Sequence, residues 1–249
     1  MRRFLVVFRS LLKINLRDKA ALFWGFAFPI GLILLYGTIW GGQDFNGVSA
    51  MTWLTVGVVV LNIMASGFIG DATWLTQMRA QGILLRVQAA PLPRAVLVAA
   101  YGAVRLVIVL IQAAAIVLVA MLVFGAKFSL SGVALAFVIA LGGAAVFILL
   151  GQAIAALAPS TGASMAIGQC IYFPLMFLSN LFIPIESLPA WLYGIARWNP
   201  AYMLVDLMRP VMVAVPAQQA SWLNLLGLLL YGLLGIMIAA RFFRWEPKR

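Results

Sequence analysis

The chain has 249 residues, 65% hydrophobic and 9% charged, against about 45–50% apolar and about 25% charged in soluble domains, so an ordinary soluble domain is excluded. Long unbroken apolar runs such as AVRLVIVLIQAAAIVLVAMLVF also exclude a membrane barrel, whose strands alternate apolar and polar residues, and leave helices, which satisfy their own backbone in lipid. The net charge of +11 is spread around the apolar runs and reads as topology and anionic-lipid contact, with no nucleic-acid partner; the lack of histidine removes histidine-ligated metal and histidine acid–base chemistry.

The first element in chain order is an amphipathic helix over residues 1–19. Phe4, Leu5, Phe8, Leu11, Leu12 and Leu16 recur at helical spacing, and Arg9, Lys13 and Arg17 follow every fourth position. Such a helix lies in the interface with its bases toward anionic headgroups. The same bases interrupt the apolar run, so a cleaved leader is not expected.

Six segments then reach the roughly 20 apolar residues a span needs: about 20–41, 50–70, 94–124, 132–157, 162–183 and 221–243. With the N-terminus inside, thirteen of the 17 Lys and Arg residues fall on the inner side. Lys127, Arg197 and Arg209 fall on the other, and Arg105 lies within the third span. The positive-inside rule therefore puts both termini in the cytosol. Arg105 either snorkels to the interface or faces the bundle interior. Span two carries Thr52, Thr55, Asn62 and Ser66. Span five carries Gly162, Ser164, Gly168, Gln169, Tyr172, Ser179 and Asn180, with Pro174 as a kink. Asn62, Ser66, Gln169, Tyr172 and Asn180 are the candidates for lining a path; bonding between helices is the competing role. Cys170, the one cysteine, is expected as a small packed residue.

Between spans two and three the stretch QMRAQGILLRVQAAPLPR is polar and basic. A helix over about 78–90 places Ala80, Ile83, Leu84 and Val87 on one face. Arg79 and Arg86 repeat at seven, as do Gln81 and Gln88, and Pro91 and Pro93 stop the helix before span three. Gly82 weakens it by about 1 kcal/mol relative to alanine, which makes it depend on a partner surface. The segment 184–216 holds five of the chain's eleven prolines, yet stays apolar. Its pieces are too short to span and read as a re-entrant helical hairpin dipping into the outer leaflet. Trp191, Tyr193, Trp198 and Tyr202 suit an interface, and Asp206 and Arg209 are spaced to pair on one helix face.

Three stretches together resemble the permease subunits of type-2 ATP-binding-cassette exporters, the drug, lipid and polysaccharide efflux group. They are LRDKAALFWGFAFPIGLILLYG, the polar stretch above, and IPIESLPAWLYGIARWNPAYMLVDLMR, with its Pro-x-x-x-Leu-Pro, then Asn-Pro, then Asp and Arg. The resemblance implies an all-α integral membrane protein, one transmembrane domain over 1–249, with six spans, both termini cytosolic, in the cell membrane, expected to be a bacterial inner membrane. It implies a homodimer or heterodimer of permeases, bathed in membrane lipid, working with cytosolic ATPase subunits that hold ATP and magnesium. The segment 77–93 would couple to the ATPase through Arg79, Gln81, Ile83, Leu84, Arg86 and Val87. Relatives often carry acids near Gln81 and Leu85; both are uncharged here, so the contact would be less charge-driven. Spans one, two and five would line the path for an amphipathic, lipid-like or drug-like substrate. The re-entrant segment would carry Glu186, Asn199, Pro200, Asp206 and Arg209.

Two other readings compete. A secondary transporter needs a coupling-ion site and often inverted repeats; no buried acid is expected except near the span ends, at Asp71 and Asp206, and no repeat is evident. A membrane enzyme needs paired acids, a metal cluster or an activated nucleophile, and the chain's six scattered acids offer only Asp206 with Asn199. No catalytic, metal or cofactor residues are assigned, and nothing matches the Gly-x-x-x-x-Gly-Lys-Ser/Thr phosphate loop.

Overall fold

The computed structural model describes residues 2–45, 47–85, 94–182 and 189–242. Helix α1 (Arg2–Arg17) is followed after Asp18 by α2 (Lys19–Trp40). A small antiparallel pair, β1 (Asp44–Phe45) with β2 (Val48–Ser49), turns the chain into α3 (Ala50–Ala65). The helix then continues through a π-helical stretch, Ser66–Asp71, into α4 (Ala72–Ala80). Next come α5 (Arg94–Phe124), α6 (Leu130–Leu157), α7 (Thr161–Phe177), the short α8 (Ala190–Ala196), α9 (Pro200–Val213) and α10 (Ser221–Phe242). Among the described residues, five helices are long and apolar enough to cross a membrane: Leu22–Trp40, the continuous rod Ala50–Ala80, Ala99–Phe124, Leu130–Leu157 and Ser221–Phe242. Helix α7 has 17 residues, about 26 Å of rise.

The rod Ala50–Ala80 is the centre of the bundle, with nearly every residue of α3 buried. It is held by close backbone approach, the usual device where lipid gives helices no hydrophobic reason to associate. A β-carbon on Gly67 would collide with the Phe147 carbonyl of α6, one on Gly151 with the Gly67 carbonyl, and one on Gly168 of α7 with the Phe68 carbonyl. Helix α10 packs on α6 in the same way, with Gly235 against the backbone of Leu149. The N-termini of α6 and α7 are capped by Ser129 and Ser160, whose hydroxyls accept from Gly132 N and Ala163 N.

Several sequence expectations meet a different geometry. The second span was expected to end near residue 70, but the π stretch lets the helix run on to Ala80. The helix expected over 78–90 is interrupted: Gly82 sits at φ +68° and ends α4, with Gln81 N bonded to the Gln77 carbonyl and Gly82 N to the Arg79 carbonyl. Ala80 and Ile83 therefore do not share one helical face, and Arg86–Pro93 lie outside the described residues. Cys170 is exposed on α7, where its small apolar thiol suits a lipid-facing position. Helix α1 does not rely on lipid alone. Leu11, with Phe4, Val7, Phe8 and Leu12, packs on Ala100, Tyr101, Val104 and Ile108 of α5 and on Trp74.

Candidate functional site

A cavity of about 330 Å³ opens between α1, α2, the central rod, α5 and α7. Asn62 and Ser66 of the rod and Tyr172 of α7 line it together, with Trp24, Phe28, Trp74, Arg105 and Gln112. Of the other path candidates, Gln169 is half-buried on α7 and not among the lining residues. Asn180 is buried near the far end of α7, at φ 55°, where its carbonyl accepts from Arg209.

The cavity wall follows from the sequence of α2. Pro29 has no N–H, so the Gly25 carbonyl one turn earlier loses its helical donor. Asn62 Nδ2 supplies one across the helix boundary at 3.3 Å. Gly25 lacks the β-carbon that would strike Gln112 Nε2, so α5 also closes in at this turn. Asn62 and Gln112 are 8% and 5% exposed. Their oxygens, Asn62 Oδ1 and Gln112 Oε1, have no hydrogen-bond partner among the described residues.

Below this level Arg105 turns inward. Its Nε lies 3.2 Å from Asp71 Oδ1, and its Nη2 donates to the Ser66 carbonyl at 3.0 Å. One guanidinium thus grips both ends of the π-helical stretch, and Tyr101 also donates to Asp71 Oδ1. Tyr101 stacks on Trp74 with ring centroids 4.4 Å apart. Asp71 is fully buried, with 0% exposure. A buried carboxylate is tolerated only when paired and hydrogen-bonded, so Arg105 answers to Asp71 and does not snorkel. π-Helical stretches often mark functional positions.

The residues named for coupling separate into two groups. Arg79 is only 4% exposed. Its Nη1 and Nη2 donate to the Ala155 and Ala158 carbonyls at 3.1 and 2.6 Å, closing the C-terminus of α6 with a cation. Gln81 and Leu85 are exposed, Ile83 is half-buried and Leu84 is buried. Arg86 and Val87 lie outside the described residues.

At the opposite end of the bundle, Asn199 joins two helices. Its Oδ1 accepts from Ala201 N and caps α9, with Pro200 at the first helical position. Its Nδ2 donates to the Leu175 and Leu178 carbonyls at the end of α7. Asp206 accepts from Gln218 N, Gln219 N and Asn224 Nδ2. Arg209 donates to Asn180 and lies 3.5 Å over the buried Trp53 ring. Asp206 beside Asn224, Met203 beside Gly227 and the Trp198 carbonyl bonded to Tyr231 make α9 antiparallel to α10. The α8–α9 junction therefore sits beside the middle of α10. Glu186 lies outside the described residues.

The profile of the ABC-2 type transporter family matches residues 2–213. Nodulation protein J of Rhizobium leguminosarum bv. trifolii is 38% identical over 79 residues, which make up 32% of this chain and 30% of that protein. The matched stretch thus spans under a third of that relative's length.

Proposed function

This chain belongs to the ABC-2 type transporter family, and from that membership we propose that it is the membrane-spanning permease of an ATP-binding-cassette exporter. Two copies, or one copy and a paralogue, form the path for an amphipathic, lipid-like or drug-like substrate. Separate ATPase subunits hold ATP and magnesium beneath the end that carries α1 and Gly82. That end is cytosolic by its excess of Lys and Arg, and the membrane is a bacterial inner membrane. Helix α7 counts as a sixth span. Helices α8 and α9 act as a re-entrant hairpin, a reading supported by the Trp198–Tyr231 bond 10 residues into α10, about 15 Å along it.

The observation that carries this reading is the rod Ala50–Ala80. It joins the turn at Gln81 and Gly82, and the helical residues 83–85 that follow, directly to Asn62 and Ser66 in the cavity wall. ATP binding draws the ATPase subunits together and displaces that turn. Arg79, bonded to the end of α6, and Arg105, bonded across the π-helical stretch, pass the displacement into the bundle. The partner supplies the energy that shifts the chain between inward- and outward-open states. Of the turn residues, Gln81, Ile83 and Leu85 offer surface to the partner. Arg79 and Leu84 hold the turn in place; Arg86 and Val87, outside the described residues, are assigned to the same contact by the family resemblance alone.

Co-purification tests this. The affinity-tagged chain, extracted from its native membrane in mild detergent, is expected to carry an ATP-binding-cassette ATPase in a fixed ratio. Isolation of the chain without any ATPase overturns the reading.

A further inference from the structure

We propose that the cavity between α1, α2, the central rod, α5 and α7 binds the headgroup of an uncharged amphiphile rich in hydrogen-bond donors, such as a polyol or an amide, and that Asn62 and Gln112 select it. The proposal names a cargo class for the permease described above and rests on that reading.

Three observations converge. Asn62 Oδ1 and Gln112 Oε1 are buried in the cavity wall without partners among the described residues. A buried acceptor with no donor is costly, and a ligand O–H or N–H removes that cost. The orientation of Asn62 is not arbitrary. Pro29 strips the Gly25 carbonyl of its helical donor, Asn62 must present Nδ2 to it, and Oδ1 is the atom left for a ligand.

Charge on the wall argues against an anion. Among the described lining residues Arg105 is the one cation, and it is committed to Asp71 and the Ser66 carbonyl. Asp18 also lines the cavity. A carboxylate or phosphate headgroup would meet two bare acceptors, and the cation among the described lining residues is already committed.

The apolar part of the ligand has its own wall. Trp74 and Tyr172 lie inward, and Trp24 and Phe28 are exposed on the outer face of α2. A hydrocarbon tail leaves between those two rings toward lipid, in keeping with sites that fix orientation by a few polar groups and hold the rest by apolar surface.

The test uses the full chain in phosphatidylcholine nanodiscs, a lipid with no hydrogen-bond donor of its own. Three photoreactive probes share one diazirine-bearing decanoyl tail. One has a glycerol headgroup, one its dimethyl ether, and one a carboxylate. Mass spectrometry maps the labelled peptides. The glycerol probe is expected to label the Trp24–Phe28, Asn62–Ser66 and Gln112 segments about fivefold more than either other probe. Gln112→Leu lowers that labelling about fivefold, to the level of the ether, while the melting temperature holds. If that variant does not fold, Gln112→Met and the three-probe comparison on the unaltered chain decide. Equal labelling by glycerol and ether, preference for the carboxylate, or no change in a folded Gln112 variant overturns the proposal. With the ATPase subunits added, release of the glycerol probe on ATP addition supports its assignment as cargo; retention identifies a resident lipid and overturns that assignment. Each of these results leaves ATPase co-purification as it was, and a missing ATPase leaves the labelling contrast as it was, so the two readings fail separately.

Discussion

Pro29 shows how one residue shapes a cavity wall through the neighbouring helix. By lacking an N–H it leaves the Gly25 carbonyl to Asn62 Nδ2, and that bond leaves Asn62 Oδ1 without a partner among the described residues. The account predicts non-additive stabilities in a double-mutant cycle. Asn62→Leu costs about 1 kcal/mol in the native background and measurably less when Pro29→Ala has restored the donor inside α2. Thermal unfolding in detergent reads both values, and additive effects would show that the bond does not matter. Asn62 was legible in the sequence as a lone amide in an apolar span. Gln112 carries the same signal, in VIVLIQAAAIV, and went unnoticed because one amide in a 31-residue helix gives no hint of its direction. Arg105 stayed open between two roles for the same reason. Its depth can be counted, but its facing depends on where α5 meets the rod and on Asp71 waiting there.

At the level of elements, small residues decide which helices meet. Gly67, Gly151 and Gly168 bring α6 and α7 onto the backbone of the central rod. Gly151→Ala is expected to destabilise by about 1–3 kcal/mol, since a β-carbon there strikes backbone that cannot rotate away. Gly142→Ala, with open space around it, is expected to be neutral or slightly stabilising through helix propensity. Equal melting temperatures for the two variants would contradict the packing scheme. The all-helical membrane class was legible from composition and run length alone. Element ends were less so. The π-helical stretch carries the second span on to Ala80, and no apolar count signals a change of helical pitch. Gly82 was recognised as a weak point but not as a stop, because the difference lies in a φ of +68° that spacing cannot supply. The spacing of Asp206 and Arg209 suggests a pair on one face of α9, but the bonds described for them run to other elements. Their described partners, the Gln218–Gln219 backbone, Asn224, Asn180 and Trp53, come from elsewhere in the fold and could not be read from spacing.

For the whole molecule, the bundle is organised around one continuous rod that links the Gln81–Leu85 segment at one end to a largely apolar cavity, with Asn62 and Gln112 in its wall, part-way along. Arg79 clamps the end of α6 and Arg105 spans the π-helical stretch, so a push at the turn has stiff routes into the membrane. Exposed apolar faces on α2 and α10, including Phe23, Trp24, Leu229 and Leu233, leave surface for lipid and for the second permease copy proposed above. In the proposed function a partner ATPase drives this chain through the Gln81–Leu85 segment. ATP hydrolysis by the purified complex in nanodiscs, compared between the native chain and Leu85→Asp, measures it most directly. The account predicts a bound ATPase whose hydrolysis responds to the permease, and loss of that response, with the permease fold intact, when the exposed Leu85 becomes charged. Hydrolysis indifferent to the permease, or unchanged by Leu85→Asp, would contradict it.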